Sequence, residues 1–176
     1  GGDGVTNNFV ANTGLGGWTA VNGENGSGVD YRFYKDATLQ GVATAPIDSN
    51  FGKAAWTQRS NAPILQPELP WERKCIEAAT ICHRGGRLYM FYAGGYNNEP
   101  QQIGCATSQD GLRWTRLFTE PLLPNGAPGS WNASESGHPG IFVDDDGQTY
   151  LFYQGNQDKG KTWFLSCVKI GWQDGK

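Results

Sequence analysis

The sequence predicts an all-β fold, a β-propeller of four-stranded antiparallel blades with about three blades in this chain. Three observations predict it. An aromatic strand recurs as Tyr31-Arg32-Phe33-Tyr34, Tyr89-Met90-Phe91-Tyr92 and Tyr150-Leu151-Phe152-Tyr153, spaced 58 and 61 residues apart. Each recurrence is followed by a Trp, Trp56 and Trp114 both after 25 residues and Trp172 after 22. Glycine is abundant at 26 of 176 residues, about twice the usual share, and no stretch holds a 3.6-residue period long enough for a helix. A repeat of about 60 residues is one supersecondary unit that cannot bury both of its faces alone, so neighbouring units must stack.

Each element follows in order from residue chemistry. Pro63-Ile64-Leu65 opens the second unit and Pro121-Leu122-Leu123 the third. Ala78 to Cys82 is a short apolar strand, and His83-Arg84-Gly85-Gly86 is a turn in which glycine supplies positive φ. Leu88 to Tyr92 is aromatic and β-prone, and Ile103 to Ser108 is the third strand, echoed by Gly41-Val42-Ala43-Thr44 in the first unit. Asp110-Gly111 turns the chain into a fourth strand over Leu112 to Leu117. In the third unit Asp145-Asp146-Gly147 takes the place of the Gly-Gly turn. The whole chain, 1–176, reads as one partial propeller domain with approximate blades 1–60, 61–118 and 119–176. The Tyr/Phe strands and the tryptophans are the expected filling between blades.

Charge and composition narrow the partners. The net charge is −3 and no Lys/Arg run exceeds two residues, so there is no basic face for nucleic acid or for an anionic membrane surface. No stretch reaches the length of a transmembrane helix. The chain begins Gly1-Gly2 without Met, as a trimmed piece would, which leaves room for a removed secretion signal. A secreted or periplasmic location is expected, with the cytoplasm as the alternative. Cys75, Cys82, Cys105 and Cys167 form no C-x-x-C pair, so zinc is not expected. They read as small buried hydrophobes, with a disulfide left open.

Two runs carry a family resemblance. Ile76-Glu77-Ala78-Ala79-Thr80-Ile81 followed by Gly86-Arg87-Leu88-Tyr89-Met90-Phe91-Tyr92 resembles the acid-bearing blade of glycoside hydrolase family 43 and its relative family 32. Ala106-Thr107-Ser108-Gln109-Asp110-Gly111-Leu112-Arg113-Trp114 is similar to their A-x-S-x-D-G-x-x-W strand-turn-strand. The resemblance covers residues 62 to about 173 well and 29 to 58 loosely. It departs from the family pattern at Ala79, where a proline is usual. It implies a five-bladed propeller whose innermost strands line a funnel where sugar is bound and cut. Such enzymes use a carboxylate base or nucleophile, a Glu as general acid, and a third carboxylate that tunes the acid.

On that reading Glu77 is the candidate general acid, since apolar neighbours raise a carboxyl pKa as protonation of a glycosidic oxygen requires. The alternative is a solvated or salt-bridged Glu beside Arg73 or Lys74. Glu77 lies 12 residues before Tyr89, and the same count before Tyr150 reaches His138, a candidate for sugar contact or for a site near a calcium ion. In the first unit the count reaches Thr19, or a residue near Gly16 if the 22–28 hairpin is longer. Glu135 is either a second active-site carboxylate or an exposed loop residue, the loop reading being favoured. Trp71 and Trp131 are placed to stack on sugar or to pack between blades. Tyr96, Asn97, Asn98, Gln101 and Gln102 form a polar loop suited to sugar hydroxyls, with a plain solvated loop as the alternative, and Gln102 is taken as the contact. Asp144, Asp145 and Asp146 read as turn residues rather than a metal site.

The expected function is therefore hydrolysis of O-glycosidic bonds in a poly- or oligosaccharide, with no required cofactor and the partner carboxylate missing from this chain. The alternative is a non-catalytic carbohydrate-binding or interaction propeller. Three blades leave open faces, so either further blades of a longer chain or a homo-oligomer should cover them.

Overall fold

In a computed structural model the described residues are 19–21, 29–36, 39–96 and 98–173, with side chains from 39 onward. The position near Gly16, the 22–28 hairpin and Asn97 lie outside them, as does the side chain of Thr19. Three antiparallel sheets follow one another along the chain. The first holds β1 (Thr19–Val21), β2 (Val29–Asp36), β3 (Leu39–Pro46) and β4 (Thr57–Gln58). The second holds β5 (Ile76–Arg84), β6 (Arg87–Gly94), β7 (Gln102–Ser108) and β8 (Thr115–Arg116). The third holds β9 (Glu135–Val143), β10 (Thr149–Asn156) and β11 (Phe164–Ile170). Each sheet is ordered as its strands occur in sequence, so every connection is local, as in propeller blades. The three aromatic runs fall on β2, β6 and β10, the second strand of each sheet.

Alternation along the strands explains the stacking. Leu88, Met90 and Tyr92 face the first sheet, where they are buried with Val42 and Leu65. Tyr89 and Phe91 point the other way and are buried with Ile141, Leu151 and Tyr153 of the third sheet. The middle sheet is thus covered on both sides, and its second strand is apolar throughout because both faces of its pleat are inside. The Pro-x-Leu segments tie each unit to the one before. Leu65 bridges to Gln40 and Leu123 to Ile103, with paired backbone bonds of 2.9–3.1 Å.

Two expected features differ. The fourth strand of the second unit is confined to Thr115–Arg116 rather than Leu112 to Leu117. Asp110 Oδ1 accepts the Leu112 and Arg113 amides at 2.9 and 2.8 Å, so those residues are held in a turn rather than a ladder. The third sheet has three strands among the described residues, because Trp172 follows β11 directly and its indole bonds back to Thr149. Three of the cysteines are buried as expected, whereas Cys167, on the edge strand β11, is exposed, and all four are free thiols.

The outer face of the third sheet is apolar and open. Phe142 is 50% exposed and Phe152 39%, and Leu165, opposite Gln154 on the same face, is exposed as well. Phe152 occupies the place of Phe91, which in the second sheet is covered by the next sheet along.

Candidate active site

The site lies where the first strands of the second and third sheets begin. Both strands carry the same irregularity. On β5, Glu77 pairs with Ala93 and Thr80 with Phe91, so Ala78 and Ala79 together oppose Tyr92. On β9, Gly137 pairs with Gln154 and Gly140 with Phe152, so His138 and Pro139 oppose Tyr153. The first bulged residue has positive φ in each case, 51° at Ala78 and 47° at His138. Such conformations are costly for residues with a side chain, and bulges of this kind re-aim the neighbouring side chains.

The register corrects the residue count made from sequence. The structural counterpart of Glu77 is Gly137, and His138 corresponds to Ala78. The hairpin between β9 and β10 holds one more residue than that between β5 and β6, which displaces a count taken back from the aromatic strand by one.

Glu77 is nearly buried at 9% exposure, and Glu135, the first residue of β9, is fully buried at 0%. The loop reading of Glu135 is therefore overturned: a strand start packed beneath a neighbouring loop replaces the exposed turn. Its Oε2 accepts the Asn98 amide at 2.5 Å and its Oε1 accepts Gln154 Nε2 at 3.2 Å. Gln154 Nε2 also lies 2.7 Å from His138 Nδ1, so one amide joins the carboxylate to the exposed imidazole. Glu77 Oε1 accepts Gln101 Nε2 at 2.6 Å. Burial pushes the Glu135 carboxyl above the usual carboxylate range. The negative charge of Glu77 adds to that rise, against the opposing pull of the Asn98 and Gln154 donors. The two buried carboxyls thus lie on neighbouring strand starts, Glu77 on β5 and Glu135 on β9.

The remaining candidates are placed as follows. Trp71 stacks on Tyr92 with centroids 5.9 Å apart, and its indole donates to Thr119 O at 2.9 Å. It fits over Gly94 and Gly104, where an added Cβ would meet the ring at 2.5 and 2.6 Å. Trp131 repeats the arrangement over Gly155 and beside Tyr153. Both rings are engaged in sheet packing. Gln102 faces away from the carboxylates, its Oε1 accepting the Asn125 amide at 3.1 Å. Its neighbour Gln101, fully buried, is the one that reaches the site. Among the described residues no group of three His, Cys, Asp or Glu side chains could hold a metal. Asp144, Asp145 and Asp146 belong to the β9–β10 hairpin, Asp144 accepting the Gly147 amide through its carbonyl.

Comparison with solved structures decides what kind of sheet stack this is. A thermostable family-43 glycoside hydrolase superposes with a TM-score of 0.67 over 90% of this chain and 55% of that one, at 18% identity. An endo-1,4-β-xylanase from Bacteroides thetaiotaomicron VPI-5482 does so with a TM-score of 0.69 over 89% and 55%, at 17% identity. The fold is that of the five-bladed propeller glycoside hydrolases. A β-1,2-mannobiose phosphorylase from Thermoanaerobacter sp. (strain X514) is 28% identical over 67% of this chain and 42% of its own. The chain thus spans about half the length of the propellers it matches. No protein-family model matches it. Among the described residues no helix is long and apolar enough to cross a membrane.

Proposed function

We propose that the chain forms the acid-bearing part of a carbohydrate-cleaving propeller that acts on O-glycosidic bonds of a poly- or oligosaccharide. The observation that carries this reading is the two buried carboxyls, Glu77 and Glu135, at the bulged starts of adjacent inner strands. Sequence alone favours Glu77 as general acid, but the geometry favours Glu135. It is the more buried of the two, and its proton is held above the usual carboxylate range beside a second carboxyl. A general acid working near neutral pH needs that environment. Glu77 then tunes the acid, and protonation of the leaving oxygen by Glu135 would accompany cleavage. With Glu135 as acid and Glu77 tuning it, this pair leaves the base on the far side of the bond to another residue.

A second reading is favoured by the match to a phosphorylase. There inorganic phosphate would be the nucleophile, and the chain would need only the acid. The open apolar face of the third sheet supports a further sheet stacked on Phe142 and Phe152, from more of the same polypeptide or from a second copy.

The test is turnover of an oligosaccharide panel with and without inorganic phosphate, comparing wild type with Glu135→Gln and Glu77→Gln. Sugar release that both substitutions abolish supports the reading, and its dependence on phosphate separates the two reactions. Equal release by all three proteins refutes it.

A further inference from the structure

Gln101 sits between the two carboxylate strands and touches both. Its Nε2 donates to Glu77 Oε1 at 2.6 Å and to Gly95 O at 2.8 Å. Its backbone carbonyl accepts the Ser136 amide at 3.0 Å, one residue after Glu135. The side chain is fully buried, and its Oε1 has no hydrogen-bond partner among the described residues. A buried amide oxygen without a partner is destabilising, so a reason for holding it there is needed.

The reason is visible at Gly137. A Cβ built on that residue would lie 2.0 Å from Gln101 Oε1 and 2.9 Å from its Cδ. The third sheet therefore leaves a side-chain-sized gap at the position matching Glu77, and the Gln101 amide fills it. Gly137 does not have positive φ, so the requirement is for space and not for backbone freedom. One blade supplies the carboxylate, the next supplies the empty position, and the amide between them fixes how far apart the strands stand.

We infer that Gln101 is a positioning residue that fixes the Glu77 carboxylate relative to the Glu135 strand, and that Gly137 is required to admit it. This rests on the carboxylate pair proposed above but not on the reaction assigned to it. Without the amide, Glu77 loses its short donor and the packing against Gly137 is lost, while the backbone bond from Ser136 to Gln101 O remains. The ionisable groups that face Glu135 among the described residues are Glu77 on β5 and, through Gln154, His138 on its own strand. The amide holds the Glu77 carboxylate, so the influence of Glu77 on Glu135 reads out that positioning.

The experiment is a cycle of carboxyl titrations by carbon-13 NMR on the full chain. The Glu135 midpoint is measured in wild type, Glu77→Gln, Gln101→Leu and the double variant. In the wild-type background, removing the Glu77 charge lowers the midpoint. In the Gln101→Leu background the drop is less than half as large. An equal drop in both backgrounds overturns the inference. Gly137→Ala, which keeps the amide but displaces it, serves in place of Gln101→Leu if that variant loses its native spectrum, and is expected to weaken the coupling in the same way. Turnover of the same proteins keeps the two claims apart. Full activity in Glu135→Gln sinks the catalytic reading alone, whereas an unchanged cycle sinks the positioning role alone.

Discussion

Glu72→Gln is expected to destabilise the chain by about 3–5 kcal/mol at pH 7, as breaking one side of a buried ion pair does. Glu72 is fully buried in the short 3-10 turn Pro70–Glu72. Its carboxylate accepts Glu68 N at 2.7 Å, Leu69 N at 2.9 Å, Tyr92 Oη at 2.7 Å, and Arg116 Nε and Nη2 at 2.7 and 2.9 Å. A glutamine keeps the shape but turns one end of the group into a donor facing donors. Arg116 retains Glu68 and Gln66 O, which places the loss toward the lower end of the range. Burial alone would raise the Glu72 pKa. The bonds to Arg116, the two amides and Tyr92 more than offset it, so the folded-state pKa lies below the ordinary value. A lowered folded pKa contributes stability above the unfolded carboxyl pKa, and that stability is lost as pH falls through the folded value. Urea unfolding at pH 7 and at pH 3 measures both effects. The gap between wild type and Glu72→Gln should be wide at pH 7 and narrower at pH 3. A difference under about 1 kcal/mol at pH 7 would refute the clamp, since a buried pair cannot be broken so cheaply.

Three further outcomes follow from packing and exposure. Gly94→Ala should cost about 1–3 kcal/mol, because the new methyl meets Trp71 and the Glu72 backbone at 2.5–2.9 Å; thermal unfolding reads it. Thr80→Val should cost about 1–3 kcal/mol by leaving the Ile141 amide unpaired between the second and third sheets, again read by unfolding. In the folded chain a thiol reagent at pH 8 should modify Cys167 first, while Cys82 and Cys105, whose thiols burial pushes up to about 12, stay unreacted until denaturant is added.

The fold was legible because its signal is redundant. Tyr31, Tyr89 and Tyr150 mark the same strand three times, and a repeat that must bury both faces leaves few alternatives to stacked blades. The site was half legible. Glu77 stood out by opening an apolar strand, but Glu135 did not, because serine and glycine neighbours resemble a loop until the Asn98 loop covers it. Gln101 and Gln102 are adjacent and chemically identical, so only the start of β7 decides which one turns toward Glu77. The one-residue error at His138 came from a longer hairpin, which a count along the chain absorbs silently. Trp71 and Trp131 looked like sugar platforms because nothing in the sequence shows that Gly94 and Gly155 are shaped to receive them.

The most direct test of Glu135 as the acid is a leaving-group comparison. Its loss should reduce cleavage of substrates with poor leaving groups by about 10²–10⁴-fold, while dinitrophenyl glycosides, whose leaving group needs no proton, lose far less. A Glu135→Gln variant that is equally impaired on both, or impaired on neither, would contradict the assignment.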